Sequence, residues 1–290
     1  MHRYFREYGQ VSSTLDFLEA VGLAKRFLSH GDYRGDDDLL WFRGQQDARW
    51  GLTPKIYRPE FTGADEAETR ELFQSRAIQL ISGRQPCCQW EWYFLMQHHG
   101  APTRLLDWTE NPLIALYFAI KDHPGNDDAV VWLLDPFWLN RQNRFLHRKG
   151  VSGPILHGWK EAGRYLFELE KTFEGSQVSV DFPAAIEAPH VAMRLYVQSS
   201  RFVVFGRRRN LADMFSIRDK AFGLGRILIS RQRTQIIEDE LWSLGINAAT
   251  VFPDIDGLGE YVCDQWRYRE ASKRRGADGP AFGLSALPGS

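Results

Sequence analysis

A polar run enclosed by two apolar ones sets the strongest constraint on this chain. Gln97 to Pro112 holds adjacent histidines, Arg104, Asp107, Thr109, Glu110 and Asn111. Upstream lies Trp90 to Met96, apolar but for Glu91, and downstream Leu113 to Ile120, apolar throughout. Polar groups held in apolar surroundings must be paired, because each unpaired one costs about 1–3 kcal/mol. The stretch is therefore either a fully satisfied internal network or a ligand site.

The flanking segments give the fold class. Leu39 to Gln45 reads as a short strand leaving on Arg43-Gly44, and Ala129 to Asp135 as a core strand closed by Pro136. Two strand-like pieces surround Gln198-Ser199-Ser200, a strand runs from Phe222 to Ile229, and a last short one from Ala248 to Pro253. Helical spacing marks a first helix starting after Val11, with Leu15, Leu18, Val21 and Leu28 as its apolar face. A second spans Glu66 to Ile81, with Leu72, Phe73, Ile78, Leu80 and Ile81 on its apolar face. Further helices are expected over Trp90–Gln97, Leu113 to about Lys121, Gln235–Leu244 with Gly245 as its cap, and Asp254–Arg269. Thr109 or Asn111 suits the cap of the helix from Leu113, and Pro112 its first turn. Trp50 to Arg58 reads as a loop with a short strand, and residues 140–187 show no clear period beyond a short helix.

These elements make one α+β domain, a mixed and mainly antiparallel sheet flanked by helices. The chain has 290 residues and no internal repeat or linker inside the folded part, taken as 10–265. The tail, 266–290, is rich in Gly, Ala, Pro and Ser from Lys273 and is expected to be disordered. A net charge of −1 excludes strong attraction of the whole chain to nucleic acid or anionic membrane, while leaving room for a local patch such as Arg207-Arg208-Arg209. The three cysteines, Cys87, Cys88 and Cys263, fit no metal-site spacing, so no metal is expected. No apolar run approaches a membrane span and the first residues carry no signal core, which points to the cytoplasm. Walker, zinc-type and nucleophile-elbow patterns are absent from the sequence.

Three stretches together resemble the FRG domain, named for a Phe/Tyr-Arg-Gly motif. They are Trp41-Phe42-Arg43-Gly44-Gln45, Gln97 to Ala119, and Arg194 to Phe202, with Gly245 to Leu258 fitting as well. Tyr33-Arg34-Gly35 repeats the tripeptide in a polar turn and is read as coincidental. The order of motifs is also similar to that of the ADP-ribosyltransferases. That likeness implies an ADP-ribosyltransferase-like sheet, with NAD as substrate and a protein or nucleic-acid acceptor. A toxin or phage-defence role would suit such an activity. It places Arg43 on the NAD phosphate, Asp107-Trp108-Thr109 at the second motif, and Ala115 to Ala119 on the helix pattern that follows it. It places Gln198-Ser199-Ser200 at the third motif, where the catalytic Glu would stand. Gln198 can hold a ribose but carries no charge, so Asp107 is the alternative carboxylate.

Asp107, Gln198 and His99 are thus candidates for catalysis. Arg43, Gly44, His98, Arg104, Trp108 and Thr109 are candidates for holding the nucleotide. Each has a structural alternative. Arg43 can pair with Asp107, Arg104 can form an internal salt bridge, Asp107 can position Arg104 or cap the helix, and Trp108 can be core. Of the adjacent histidines, one is expected in the core and the other in a cleft. A non-catalytic module binding a nucleotide or nucleic acid in the same cleft is the competing function.

Overall fold

A computed structural model describes residues 5–28, 39–61, 65–81, 83–123, 127–151, 153–167, 181–188, 196–213 and 223–278. Tyr33-Arg34-Gly35 and the strand-like piece before Tyr196 lie outside them.

Eight strands form one sheet: β1 (Arg6–Val11), β2 (Trp41–Gln45), β3 (Leu105–Thr109), β4 (Ala129–Leu134), β5 (Ile155–Leu156), β6 (Ala184–Glu187), β7 (Ser200–Val204) and β8 (Leu224–Ile229). Their order is β1-β8-β4-β2-β3-β7-β6-β5. The end pairs, β1 with β8 and β5 with β6, are parallel, and every pair between them is antiparallel. The α+β class and the mixed, mainly antiparallel sheet are as the sequence suggested.

Alternation along the strands sorts the apolar residues onto two faces. Trp41, Leu106, Trp108, Val130, Trp132, Val203 and Leu224 form the core of one face. The opposite face holds two separate cores. Toward β1, Phe42, Val131, Leu133 and Ile227 pack under α1 (Thr14–Leu28), α4 (Pro112–Ile120) and the helix Thr234–Ser243. Toward β5, Leu105, Phe202, Val204 and Ile186 pack under α3 (Gln89–His98) and the helix Lys160–Phe167.

The seam between those two cores runs along β2 and β3, and there the sheet changes character. β2 pairs with β4 over five positions, from Trp41↔Leu134 to Gln45↔Val130, and β3 pairs with β7 over five. Between β2 and β3 only Phe42↔Thr109 is in register. Beyond that bridge the strands part.

Helix α4 fixes the position of β2. The Asn111 carboxamide accepts from the amides of Leu113 (2.9 Å) and Ile114 (3.4 Å), and Pro112 occupies the first turn. The helix then lies directly on Gly44. A Cβ there would stand 2.0 Å from the Ala115 carbonyl oxygen and 2.6 Å from the Ala119 nitrogen. Arg-Gly at the strand exit and Ala-x-x-x-Ala in the helix are two halves of one close contact.

Several expectations need correction. The buried face of α1 is Phe17, Ala20, Val21, Ala24 and Leu28, while Leu15 and Leu18 face outward. The second helix, α2 (Glu66–Ala77), buries Glu66, Arg70 and Ala77 and exposes Leu72. Ile78 and Leu80, beyond its end, are exposed as well. Its inward side meets a buried charge rather than an apolar surface. Trp50 to Arg58 contains a 3-10 turn, Lys55–Tyr57, and no strand. Ala248–Val251 is a helical turn instead of a strand, because Asn247 and Thr250 cap it reciprocally. The segment 140–187 contributes β5, β6 and short helices to the sheet edge. The last helix, Ile255–Asp278, runs well past residue 265 into the expected tail. Among the described residues no helix is long and apolar enough to cross a membrane.

Gly44→Ala is expected to lower stability by about 3 kcal/mol, because overpacking against two backbone atoms of a helix has no flexible neighbour to absorb it. Urea denaturation checks this, and an unchanged midpoint would contradict the contact.

Candidate functional site

The parting of β2 and β3 opens a cavity of about 370 Å³. Its walls come from the exit of β2 (Arg43 to Gln46), the end of β3 (Asp107 to Thr109), α3 (Gln97 and His98), α4 (Ala115 and Phe118) and the segment before β7 (Gln198). Trp50 and Arg58, from the loop after β2, close one side. Arg43, Gly44, His98, Asp107, Trp108, Thr109 and Gln198, spread over 156 positions of sequence from 43 to 198, all border this one space.

Arg43 spans the gap. Its Nη1 donates to the Asp107 carbonyl oxygen at 2.7 Å and stands 3.8 Å from the Asp107 carboxylate. That carbonyl belongs to the strand edge left open where pairing with β2 ceases. The guanidinium therefore replaces a missing ladder bond. Its Nε is buried and has no partner. A buried unpaired donor of this kind costs about 1–3 kcal/mol, more when charged, unless something fills the space beside it. Burial pushes the Arg43 pKa down to about 10, with Asp107 opposing the shift and Arg58 adding to it. The group remains charged at neutral pH. Arg43 is thus both a structural pair for Asp107 and a cation facing the cavity.

Asp107 is held by a short relay. The Thr103 hydroxyl, fully buried, donates to Gln97 Oε1, which fixes the amide orientation. Gln97 Nε2 then donates to Asp107 Oδ2 at 2.6 Å. The Asp107 side chain keeps 54% of its surface exposed. It is a carboxylate oriented from below and open above. It neither pairs with Arg104 nor caps α4, which Asn111 does.

The third wall is tied in from both sides. Thr109 Oγ1 donates to the Gln198 carbonyl at 2.6 Å and accepts from the Asn111 amide at 3.0 Å. Gln198 Nε2 donates to the Val251 carbonyl at 3.1 Å. Ser199 sits at φ 46°, and its carbonyl accepts from the Glu110 amide at 3.2 Å. A non-glycine residue in the left-handed region costs of order 1–3 kcal/mol and persists only where the surroundings enforce it. Thr109 therefore borders the cavity as a brace, with its hydroxyl already committed, and Gln198 has its amide nitrogen committed to the last short helix.

Of the other candidates, Arg104 and His99 do not line the cavity, Trp108 is covered, and Gly44 meets it by its backbone alone. Arg104 is turned away from the cavity. Its Nε donates to Glu66 Oε2 at 2.6 Å and its backbone amide to Glu66 Oε1 at 2.9 Å. Both side chains are nearly covered, so Arg104 anchors α2 to the entry of β3. His99 caps the end of α3 and is exposed outside the cavity, edge-on to His98 with ring centroids 4.8 Å apart. Neither histidine belongs to the core, since His98 is half-buried at the cavity wall. Trp108 is 3% exposed inside the apolar cluster of Trp41 and Trp132, so it has no open face for stacking. Gly44 borders the cavity through its backbone, its missing side chain being the seat of α4.

Trp50, Arg58 and Gln97 are lining residues that sequence reasoning passed over as site residues. Trp50 is 51% exposed and is the indole with an open face here. Loop residues show no period. The signal available was composition: two aromatics, Trp50 and Tyr57, and three cations, Arg49, Lys55 and Arg58, within fifteen residues after Arg43-Gly44.

Glu66→Ala would leave Arg104 buried without its carboxylate. A stability loss of about 3–5 kcal/mol is expected, and a urea midpoint within experimental error of the parent would contradict the buried pair.

No curated protein and no solved structure matches the chain. Residues 38–128 match the family model of the FRG domain, a span from just before β2 to just before β4. The match is confined to these residues, and they supply Arg43, Arg58, Gln97 and Asp107 but not Gln198.

Proposed function

We propose that the cavity binds NAD and that the chain is an ADP-ribosyltransferase-like protein acting on a macromolecule. One observation carries the reading. Where β2 and β3 part, Arg43 lines the cavity with a second cation, Arg58, and with Asp107, a carboxylate oriented by Gln97. Two cations suit a diphosphate, for which a guanidinium offers planar, forked donors. The arrangement also follows the motif order that the sequence resembles: an aromatic-Arg-Gly strand, a second strand beside it, a helix with the Ala-x-x-Phe-Ala pattern, and a third strand next to the second.

In such a transfer the bond from ribose C1′ to the nicotinamide nitrogen breaks. Its electron pair leaves with nicotinamide, and an acceptor nucleophile bonds C1′ as it gives up a proton. Positive charge develops on the ribose, and an oriented anion stabilises it without having to reorganise. Asp107 has the position and the charge for that part. Gln198 has no charge, and with one N–H given to the Val251 carbonyl its side-chain oxygen and second N–H are left to hold a hydroxyl.

The same feature favours the second reading, a binding module without catalysis. With an amide at the third motif, NAD or another nucleotide would be held and not cleaved.

Titration calorimetry with NAD and transfer of label from NAD to lysate macromolecules separate the readings. Binding is expected, lost on Arg43→Ala. Asp107→Asn is expected to bind NAD within a few-fold of the parent while transfer falls about 100-fold or more. NAD binding without transfer in the parent would select the binding module, and no NAD binding would overturn both nucleotide readings for this ligand.

A further inference from the structure

The loop that walls the cavity is continuous with a strip of arginines the site does not use. Arg207, Arg208 and Arg209 are consecutive and exposed. The loop bearing them runs along residues 50–58. The Leu211 amide donates to the Leu52 carbonyl at 3.2 Å, and Tyr57 donates through its hydroxyl to the Gly206 carbonyl at 3.0 Å. Two of the guanidinium groups are seated on rings: Arg209 lies 5.3 Å from the Tyr57 ring centre, and Arg208 lies 4.7 Å from that of Phe182. Ring seating holds them in place without neutralising them. Among the described residues no carboxylate is ion-paired to these three arginines or to Arg58. Tyr57 adjoins Arg58, which faces the cavity, and Trp50 at the start of the same loop offers a half-exposed indole at the cavity wall.

We infer that this strip, from Arg207–Arg209 through Arg58 to Trp50, holds a single-stranded nucleic acid and leads one of its bases to the cavity. This rests on the proposed transferase reading for the identity of the acceptor, but the binding itself does not. Clustered cations without ion-pair partners on an otherwise near-neutral chain select a polyanion locally. An open indole among them selects one with exposed π-faces, which a single strand has, and which a duplex or an acidic peptide lacks.

Fluorescence anisotropy with labelled single-stranded DNA and RNA 20-mers tests it, with the duplex and polyglutamate as competitors and calorimetry with NAD run in parallel. Single strands are expected to bind and to compete best. Replacing all three arginines by Glu is expected to weaken binding at least about tenfold and to make the salt dependence shallower by about 2 in log–log slope. Arg207→Glu, which disturbs no ring contact, is expected to act in the same direction with a smaller effect. Trp50→Ala is expected to weaken single-strand binding about tenfold with the salt slope unchanged. NAD binding without oligonucleotide binding would overturn the strip and spare the nucleotide site. Oligonucleotide binding without NAD binding would support the strip and sink the NAD reading. Equal or better competition by polyglutamate or duplex, or triple and single Arg variants that bind like the parent, would overturn the inference.

Discussion

Helix α4 resting on the backbone of Gly44 is the contact from which the site follows. With no Cβ at Gly44, the Ala115 and Ala119 turns approach the strand as closely as backbone allows. That holds β2 in full register with β4. β3 is committed equally fully on its other side, to β7. Strands bound outward on both sides meet only at Phe42 and Thr109. An open seam inside a sheet exposes backbone groups that would otherwise pair, and these must find partners. Arg43 supplies one by donating to the Asp107 carbonyl. The cation reaches the cavity because it repairs the seam.

That double duty explains why bland and functional readings of the polar run are both partly right. Arg104 and Asn111 are structural, the first locked to Glu66 and the second capping α4. Thr109 braces the segment before β7. Asp107 is different, because the Thr103–Gln97 relay orients it while leaving it half-exposed. By position, the site comes down to Arg43, Asp107, Arg58 and the half-exposed indole of Trp50, all at the cavity wall.

The strands from Trp41, Ala129 and Leu224 and the helices from Gln89, Pro112 and Thr234 were legible because apolar runs and caps are local signals. The pairing of Gly44 with Ala115 and Ala119 was visible only as two unconnected hints, since nothing in sequence states that they touch. The apolar face assigned to α1 holds at Val21 and Leu28 but not at Leu15 and Leu18, and that of α2 fails, for a common reason. Counting apolar residues misplaces the face when the buried side is built from small residues such as Ala20 and Ala24, or from a buried ion pair such as Glu66 with Arg104. The turn at Ala248 was misread as a strand because β-branched Thr250 and Val251 suggest one, whereas the Asn247–Thr250 capping box decides the conformation. Trp50 and Arg58 lie on a loop, where position is set by tertiary contacts and leaves no period to read.

The seam between β2 and β3 is proposed as a nucleotide site built around the Arg43 guanidinium. A crystal structure of the protein grown with NAD tests it most directly. The diphosphate is expected within hydrogen-bonding distance of the Arg43 guanidinium, with the nucleotide lying along the open edge of β3 beside Asp107. NAD bound elsewhere on the molecule, out of reach of Arg43, would contradict it.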